Sequence, residues 1–183
     1  YYKISPSISL YETVQKVKLA LDSHYAKLCN RINLEWMRCV KEAGGMTAVH
    51  ALRQQDFYES QIKPIQKKMV VIISDALRYE VAQELIGVLA KRKHIAHLDF
   101  GIAMLPSETK FCKPALLPHH ELRLYGEENG TQNMGVDNKI LDSTAKRTEQ
   151  VDSYRSGAIC VDYEVVGKYD QDKNREIFKH PLV

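Results

Sequence analysis

Three residues of this chain could bring a carboxylate and a hydroxyl to one place: Asp75, Ser107 and Thr109. Asp75 closes the apolar run Val70–Ile73 in VVIISDALRYE, and an amphipathic segment begins at once. The run reads as a buried parallel strand and the segment after it as a helix. The carboxylate then stands at the strand's C-terminal end, where open α/β sheets bind their ligands. Ser107 and Thr109 lie just past a second predicted strand, so they would share the same rim. A free alcohol hardly ionises near neutrality and is a poor nucleophile. A divalent cation changes that by stabilising the alkoxide and neutralising phosphoryl oxygens. If Thr109 opens a helix, the N–H groups of that first turn would also face an anion. Both motifs have a second, purely structural meaning. A Ser-x-Thr before a helix can simply cap it, and so can an Asp after a strand.

The elements that must position these residues follow from periodicity. Ser9–Leu10–Tyr11–Glu12 fits a capping box. Val14, Val17, Leu21, Tyr25, Leu28 and Ile32 then recur in steps of three and four. This predicts one long helix to about Val40, stopped by Gly44–Gly45, with Lys16, Lys18, Asp22 and Lys27 on a solvated face. A shorter helix is expected over Asp56 to Ile65, with Phe57, Tyr58, Ile62 and Ile65 inward and Pro64 ending or kinking it. After the Val70–Ile73 strand comes a helix from Arg78 to Lys91, with Val81, Ala82, Leu85, Val88 and Leu89 on one face. Leu98, Phe100, Ile102 and Met104 alternate, which predicts a strand from His97 to Met104. No strand is expected before Val70. Helix, strand, helix, strand implies α/β architecture with a parallel sheet.

Beyond Pro106 a short segment, Phe111 to Leu117, is closed by Pro118. Leu122 and Leu124 suggest a brief edge strand, and Gly126 to Gly135 reads as a polar, glycine-rich loop. Helices are expected over Asp142 to Tyr154 and Gln171 to Phe178. Glu127, Glu128 and Asp137 read as carboxylates of a solvated loop. The histidines make no ligand cluster. His94 and His97 straddle a helix end and a strand start, His119 and His120 point opposite ways on an extended segment, His24 and His50 read as surface or packed residues, and His180 stands close to the chain end.

Bulk composition narrows the class. The chain's 183 residues are enough for one domain, or a domain with an appendage, and for a real core. A net charge of +3, with both signs mixed throughout, permits phosphate contact without marking a DNA-binding face. No stretch approaches the roughly 20 apolar residues of a membrane span, and YYKISPSISLYE lacks the regions of a signal peptide. A cytoplasmic protein is the expectation. The four cysteines, Cys29, Cys39, Cys112 and Cys160, are scattered without a C-x-x-C pair, as for reduced thiols.

Three segments together carry a resemblance. ISDALRYEVAQEL (Ile73 to Leu85), AMLPSETK (Ala103 to Lys110) and ALLP (Ala115 to Pro118) resemble the PglZ domain. The approach QQDFYESQIKPIQKK (Gln54 to Lys68) is similar too, and REIFKHPLV is a late echo. PglZ proteins belong to the alkaline phosphatase superfamily and are components of BREX-type bacterial phage defence. The resemblance implies a partial alkaline-phosphatase-like parallel sheet flanked by helices, behind an N-terminal helical segment. Residues 1–53 would be that helical region, and 54–183 the N-terminal part of the PglZ domain, truncated at its C-terminus.

The resemblance also implies roles. Asp75 would bind a divalent metal, commonly zinc, and Thr109 would be both nucleophile and ligand of the same metal. Ser107 is the substitute nucleophile, and Ser107 and Arg78 are the candidates nearest the substrate. A surface arginine paired with a carboxylate is the other meaning of Arg78. Two departures stand out. Phe111–Cys112–Lys113–Pro114 occupies the place of the family's small glycine-containing turn, and no Asp–His–Gly step is present. The remaining ligands are therefore expected beyond the chain end.

The implied function is a metal-dependent phosphatase, phosphodiesterase or nuclease, with this chain an inactive fragment of it. Other defence-system proteins such as a DNA methyltransferase, and DNA itself, would be its partners. A non-catalytic scaffold of a defence complex is the alternative. A receiver-like signalling domain, with Asp75 as phosphoryl acceptor, would need an acidic pair near an earlier strand.

Overall fold

A computed structural model describes residues 11–75, 77–126 and 130–183. The chain divides into two compact units, one up to His50 and one from Ala51 onward.

The first unit is dominated by α1 (Tyr11–Glu42). Its expected capping residue Ser9 lies outside the described residues. The helix ends where two glycines take left-handed backbone, Gly44 at φ 93° and Gly45 at φ 113°. There Gly45 N donates to Val40 O at 2.8 Å, closing the last turn. Lys16, Asp22 and Lys27 are exposed as expected. Lys18 pairs with Asp22, and Arg38 with Glu35 and Glu42, all on the helix surface. Val40 is the buried residue of α1, while Val17, Leu21, Tyr25, Leu28 and Ile32 of the apolar stripe are exposed.

The second unit is mixed α/β. Two-residue strands β1 (Leu52–Arg53) and β2 (Gly101–Ile102) pair in parallel, Leu52 opposite Gly101 and Arg53 opposite Ile102. A Cβ on Gly101 would come within 3.1 Å of Leu52 O, so the close approach of the two backbones uses the missing side chain. A strand therefore does precede Val70. Two residues ending in an arginine carry no alternation from which it could be read. Its brevity also limits the strand expected over His97 to Met104, which shrinks to two residues.

Two further segments differ from expectation. The helix expected over Asp56 to Ile65 is a 3-10 turn (Gln54–Asp56) followed by a π-helical turn (Tyr58–Ile62). Tyr58 and Ile62 are buried, but Ile65 lies past the turn beside Pro64 and is exposed. Val70–Ile73 forms no regular strand. Among the described residues, backbone pairing here runs through Val71 and the preceding Met69, with residues 181–183. Half a ladder on one edge leaves Ile72 and Ile73 without strand partners among the described residues.

The remaining expectations fare better. α2 (Tyr79–Lys91), α4 (Thr144–Tyr154) and α6 (Gln171–Ile177) fall where helices are expected; Thr109 does open a helix, α3 (Thr109–Ala115), over most of the short segment expected from Phe111 to Leu117, and a short α5 (Tyr163–Val166) is added. Ser143 caps α4 by accepting from Lys146 N at 3.3 Å, and Asp170 caps α6 by accepting from Lys173 N at 2.8 Å. The apolar face of α2 is not buried.

The larger sheet is antiparallel: β3 (Leu122–Gly126), β4 (Gln132–Val136) and β5 (Lys139–Ile140) in that order. β4 replaces the second half of the loop expected over Gly126 to Gly135. Gln132, Asn133 and Gly135 hid its two core residues, Met134 and Val136. Asp137 and Asn138 turn the chain into β5 at positive φ, 48° and 66°. The core joins Tyr58, Ile62, Leu117, Val136, Leu141, Val151, Ala158 and Leu182.

At Gly135 a Cβ would meet Tyr125 Cε2 at 2.1 Å, because that ring lies across the glycine. Tyr125 Oη also donates to Asn138 Oδ1 at 3.1 Å, tying the ring to the β4–β5 turn. Gly135→Val is expected to displace the ring, break that bond and lower stability by about 1–3 kcal/mol, the usual cost of overpacking. A chemical-denaturation midpoint checks this, with Gly126→Ala, which meets open space, as the neutral control.

Candidate functional site

Asp75 and Thr109 meet across 34 positions of sequence. Thr109 Oγ1 donates to Asp75 Oδ1 at 3.4 Å, a long contact at the outer edge of hydrogen bonding. Asp75 turns out of the Val70–Ile73 segment, whose lower half is held by residues 181–183. Thr109 is the first residue of α3, after Glu108 in extended conformation at φ −81°, ψ 142°. Phe111 N and Cys112 N both donate to Glu108 O at 2.9 Å, which fixes the first turn. Phe111 and Ala115 bury the other side of α3, and Pro114 is accommodated inside it.

Gln54 secures this arrangement from below. Its Nε2 donates to Cys112 O at 3.1 Å and its Oε1 accepts from Met104 N at 3.0 Å. One amide thus bridges the chain leaving β2 to the helix carrying Thr109. The Cys112 thiol approaches Pro106 O at 3.5 Å and Met104 O at 3.8 Å, and burial pushes its pKa up. The Phe–Cys–Lys–Pro stretch is therefore an anchored helical segment. All four cysteines are free thiols, with Cys39 exposed and the others half-buried.

The other candidates make different contacts. Ser107 is exposed on the same connection and, among the described residues, makes no hydrogen bond to Asp75. Arg78 N-caps α2, and its side chain is 75% exposed, 3.6 Å from Glu80. Its guanidinium is a surface ion pair. Among the described residues no three His, Cys, Asp or Glu side chains gather closely enough to hold a metal. His24, His119 and His180 each use Nδ1 on a backbone carbonyl, at 2.8, 2.7 and 2.7 Å. Glu127 and Glu128 lie outside the described residues.

Asp137 is not a solvated loop carboxylate. Oδ1 accepts from His120 N and Glu121 N at 2.8 and 2.9 Å, and Oδ2 from Gln150 Nε2 and Tyr154 Oη, both at 2.9 Å. Partial burial pushes this carboxyl up, but the four donors outweigh it and hold the pKa at about 2, below the ordinary 3.8. Burial, and then Asp137, raises the Tyr154 phenol in turn. The only sequence signal for this hub is the Asp-Asn turn, since its donors come from two distant elements.

Two clefts stand out among the described residues of this unit. The larger, about 760 Å³, lies among Tyr58, Glu59, Met104, His119, His120 and Arg123 and includes neither Asp75 nor Thr109. The smaller, about 380 Å³, flanks the start of α3 between Glu108, Lys110 and Phe111 on one side and Gly130–Gln132 on the other. Lys110 reaches Glu108 at 3.4 Å and lies 4.7 Å over the Phe111 ring.

Residues 57–182 match the family described as the BREX system PglZ alkaline phosphatase-like domain. The chain belongs to the PglZ family. Asp75, Thr109 and their supports lie inside that PglZ match except Gln54, which precedes it, and Val183, which follows it. Alkaline phosphatase-like protein BrxZ of Escherichia coli O9:H4 (strain HS) is 43% identical over 84 residues, covering 43% of this chain and 10% of the relative. Alkaline phosphatase-like protein PglZ of Bacillus cereus (strain H3081.97) is 29% identical over 129 residues, 68% of this chain and 15% of the relative. The chain thus spans 10–15% of the length of these relatives. No solved structure matches it. No helix among the described residues is long and apolar enough to cross a membrane.

The alkaline phosphatase-like class generally depends on a metal, and the donors at this site can be tested against one. A carboxylate and a hydroxyl converging at 3.4 Å are hard oxygen donors suited to a divalent cation. They fit two positions of such a site, whereas zinc usually takes three or four protein ligands.

Proposed function

We propose that this chain carries the nucleophile-bearing part of a PglZ phosphoester hydrolase acting in a BREX-type antiphage system. The observation that carries the proposal is the 3.4 Å contact of Thr109 Oγ1 with Asp75 Oδ1. Asp75 accepts the hydroxyl's hydrogen bond and so orients one Oγ1 lone pair outward, toward a phosphorus atom. Thr109 is held at the start of α3 by Phe111, Ala115 and Gln54, so the attacking oxygen sits on a rigid element. Asp75 and Thr109 would hold a divalent ion, zinc by the family's habit, which lowers the cost of ionising a hydroxyl and offsets phosphoryl charge. The remaining ligands come from polypeptide outside these residues, and the 183-residue chain alone is inactive. Ser107 and Arg78 border the substrate in this scheme, and both are exposed enough to reach it.

The protein acts in the cytoplasm, with the other proteins of its defence system, a DNA methyltransferase among them, and with DNA. Metal analysis tests the scheme. The complete polypeptide is expected to carry bound metal and to hydrolyse p-nitrophenyl phosphate esters. Chelation should lower the rate by about 10²-fold or more, with recovery on adding zinc. Hydrolysis undiminished by chelation would refute the metal-dependent scheme.

A scaffold reading is favoured by one observation, the exposed apolar stripe Val17, Leu21, Tyr25, Leu28 and Ile32 of α1. Such a stripe suits packing on a defence-complex partner, and fold alone does not entail chemistry. Phage protection that persists after Thr109→Ala would select the scaffold.

A further inference from the structure

The short parallel ladder of β1 and β2 does not end where its backbone pairing ends. Leu52 and Arg53 pair with Gly101 and Ile102, and the chain then turns into the 3-10 segment Gln54–Asp56. From that turn the Gln54 side chain reaches the strand its backbone has left. Its Oε1 accepts from Met104 N at 3.0 Å, so a side-chain amide prolongs the pairing beyond the end of β2.

The other end of the same amide reaches α3. In a regular helix Leu116 N would bond Cys112 O, four residues back, but it closes on Lys113 O at 3.2 Å instead. Cys112 O is thereby open to an outside donor, and Gln54 Nε2 supplies one at 3.1 Å. Cys112 N in turn donates at 2.9 Å to the carbonyl of Glu108, the residue directly before Thr109. Three hydrogen bonds thus run in series from Met104 through Gln54 and Cys112 to the turn that carries Thr109. Both bonds of the amide are half-buried, where an unmatched polar group is costly.

We infer that Gln54 is a positioning residue for attack by Thr109 Oγ1, its amide setting the spacing between the end of β2 and the first turn of α3. This role rests on the hydrolase reading of Thr109. It falls to a residue ahead of the family match at 57–182, so the working unit begins upstream of that match. Polarity makes glutamine specific at this place. Met104 presents an N–H and Cys112 a C=O, so the bridging side chain must accept at one atom and donate from the other. Glutamine does both at every pH. A carboxyl group does both only when protonated, because its ionised form turns a second acceptor on Cys112 O. The Cys112 thiol beside the bridge stays neutral through this comparison, since burial raises its pKa above the ordinary 9.0.

Rapid-quench measurement of phosphoryl transfer from p-nitrophenyl phosphate to Thr109, in the complete polypeptide, tests this role. The first-order rate constant reports how well Oγ1 is placed and does not change with the fraction of protein that is folded. At about pH 8, Gln54→Leu and Gln54→Glu should each lower it about tenfold or more, the scale of a displaced reacting atom. Lowering the pH to about 5 should return Gln54→Glu toward the unsubstituted rate at the same pH, while Gln54→Leu stays low. The new carboxyl, ordinarily near about 4.3 and raised by facing a carbonyl, takes up a proton over that interval. Gln54→Glu prepared at the lower pH keeps its bridge, so it decides the matter even where Gln54→Leu does not fold. Unsubstituted rate constants in both variants would overturn the inference, as would a Gln54→Glu deficit of the same size at both pH values. Thr109→Ala, assayed beside them by steady-state turnover, separates the two readings. Turnover lost there with Gln54→Leu unimpaired counts against Gln54 alone, whereas full turnover by Thr109→Ala removes the nucleophile and both readings fall.

Discussion

Thr109→Ala is expected to lower phosphoester hydrolysis by the complete polypeptide by about 10³-fold or more, the scale on which a nucleophile's removal is felt. The fold should survive the change. Thr109 is exposed, and among the described residues its side chain's one hydrogen bond is the long one to Asp75, so the stability cost should be within about 0.5 kcal/mol. α3 remains anchored by Phe111, Ala115 and the Gln54 bridge, none of which uses the Thr109 hydroxyl. Thr109→Ser keeps a hydroxyl on the same backbone and should retain a measurable rate. Asp75→Asn keeps an acceptor oxygen but loses the charge, and should fall between threonine and alanine at position 109. Steady-state kinetics beside a thermal melt separates lost chemistry from lost folding. Ser107→Ala is the companion variant, and a loss there equal to that of Thr109→Ala would transfer the role to Ser107.

Asp137→Ala is expected to destabilise the second unit by about 3 kcal/mol, the scale of leaving several donors to a charged group without an acceptor. Four donors lose their acceptor at once: His120 N, Glu121 N, Gln150 Nε2 and Tyr154 Oη. Gln150 retains its bond to Pro118 O at 2.9 Å, which keeps the loss below the sum of four. The pH dependence has a definite sign. The folded carboxyl sits at about 2 against an ordinary 3.8, so its stabilisation is fully present above about pH 4. It is lost progressively as pH falls from there through about 2. Denaturation midpoints measured from pH 6 to pH 2 should fall more steeply in the unsubstituted chain than in Asp137→Ala. Parallel curves would show that the carboxylate is not the hub its bonds describe.

What could be read from sequence tracks how local the determining physics is. Asp75 and Thr109 could be paired because each closes or opens an element with strong signals: an apolar run stopped by Ser-Asp, and a helix begun after a proline. α2, α4 and α6 carry periodicity, and α4 and α6 carry caps, within a few turns of chain. β4 could not be read because Gln132, Asn133 and Gly135 dilute Met134 and Val136. β1 is two residues long, and its pairing with β2 depends on a backbone approach at Gly101 nearly fifty residues away. Asp137 was hidden for the same reason. Its donors sit at His120, Glu121, Gln150 and Tyr154, and nothing in the VDNK stretch announces them. The helix of α1 was legible, but the burial of its stripe was not, because periodicity shows an apolar face and not what covers it.

Mapping a phosphoryl group on the protein would test the pairing of Asp75 with Thr109 most directly. The complete polypeptide would be turned over with a phosphate ester, quenched in acid, digested and examined by mass spectrometry. A phosphorylated peptide with the group on Thr109, absent from Thr109→Ala and weakened in Asp75→Asn, is the expected result. A phosphoryl group on Ser107, or full turnover by Thr109→Ala, would contradict it.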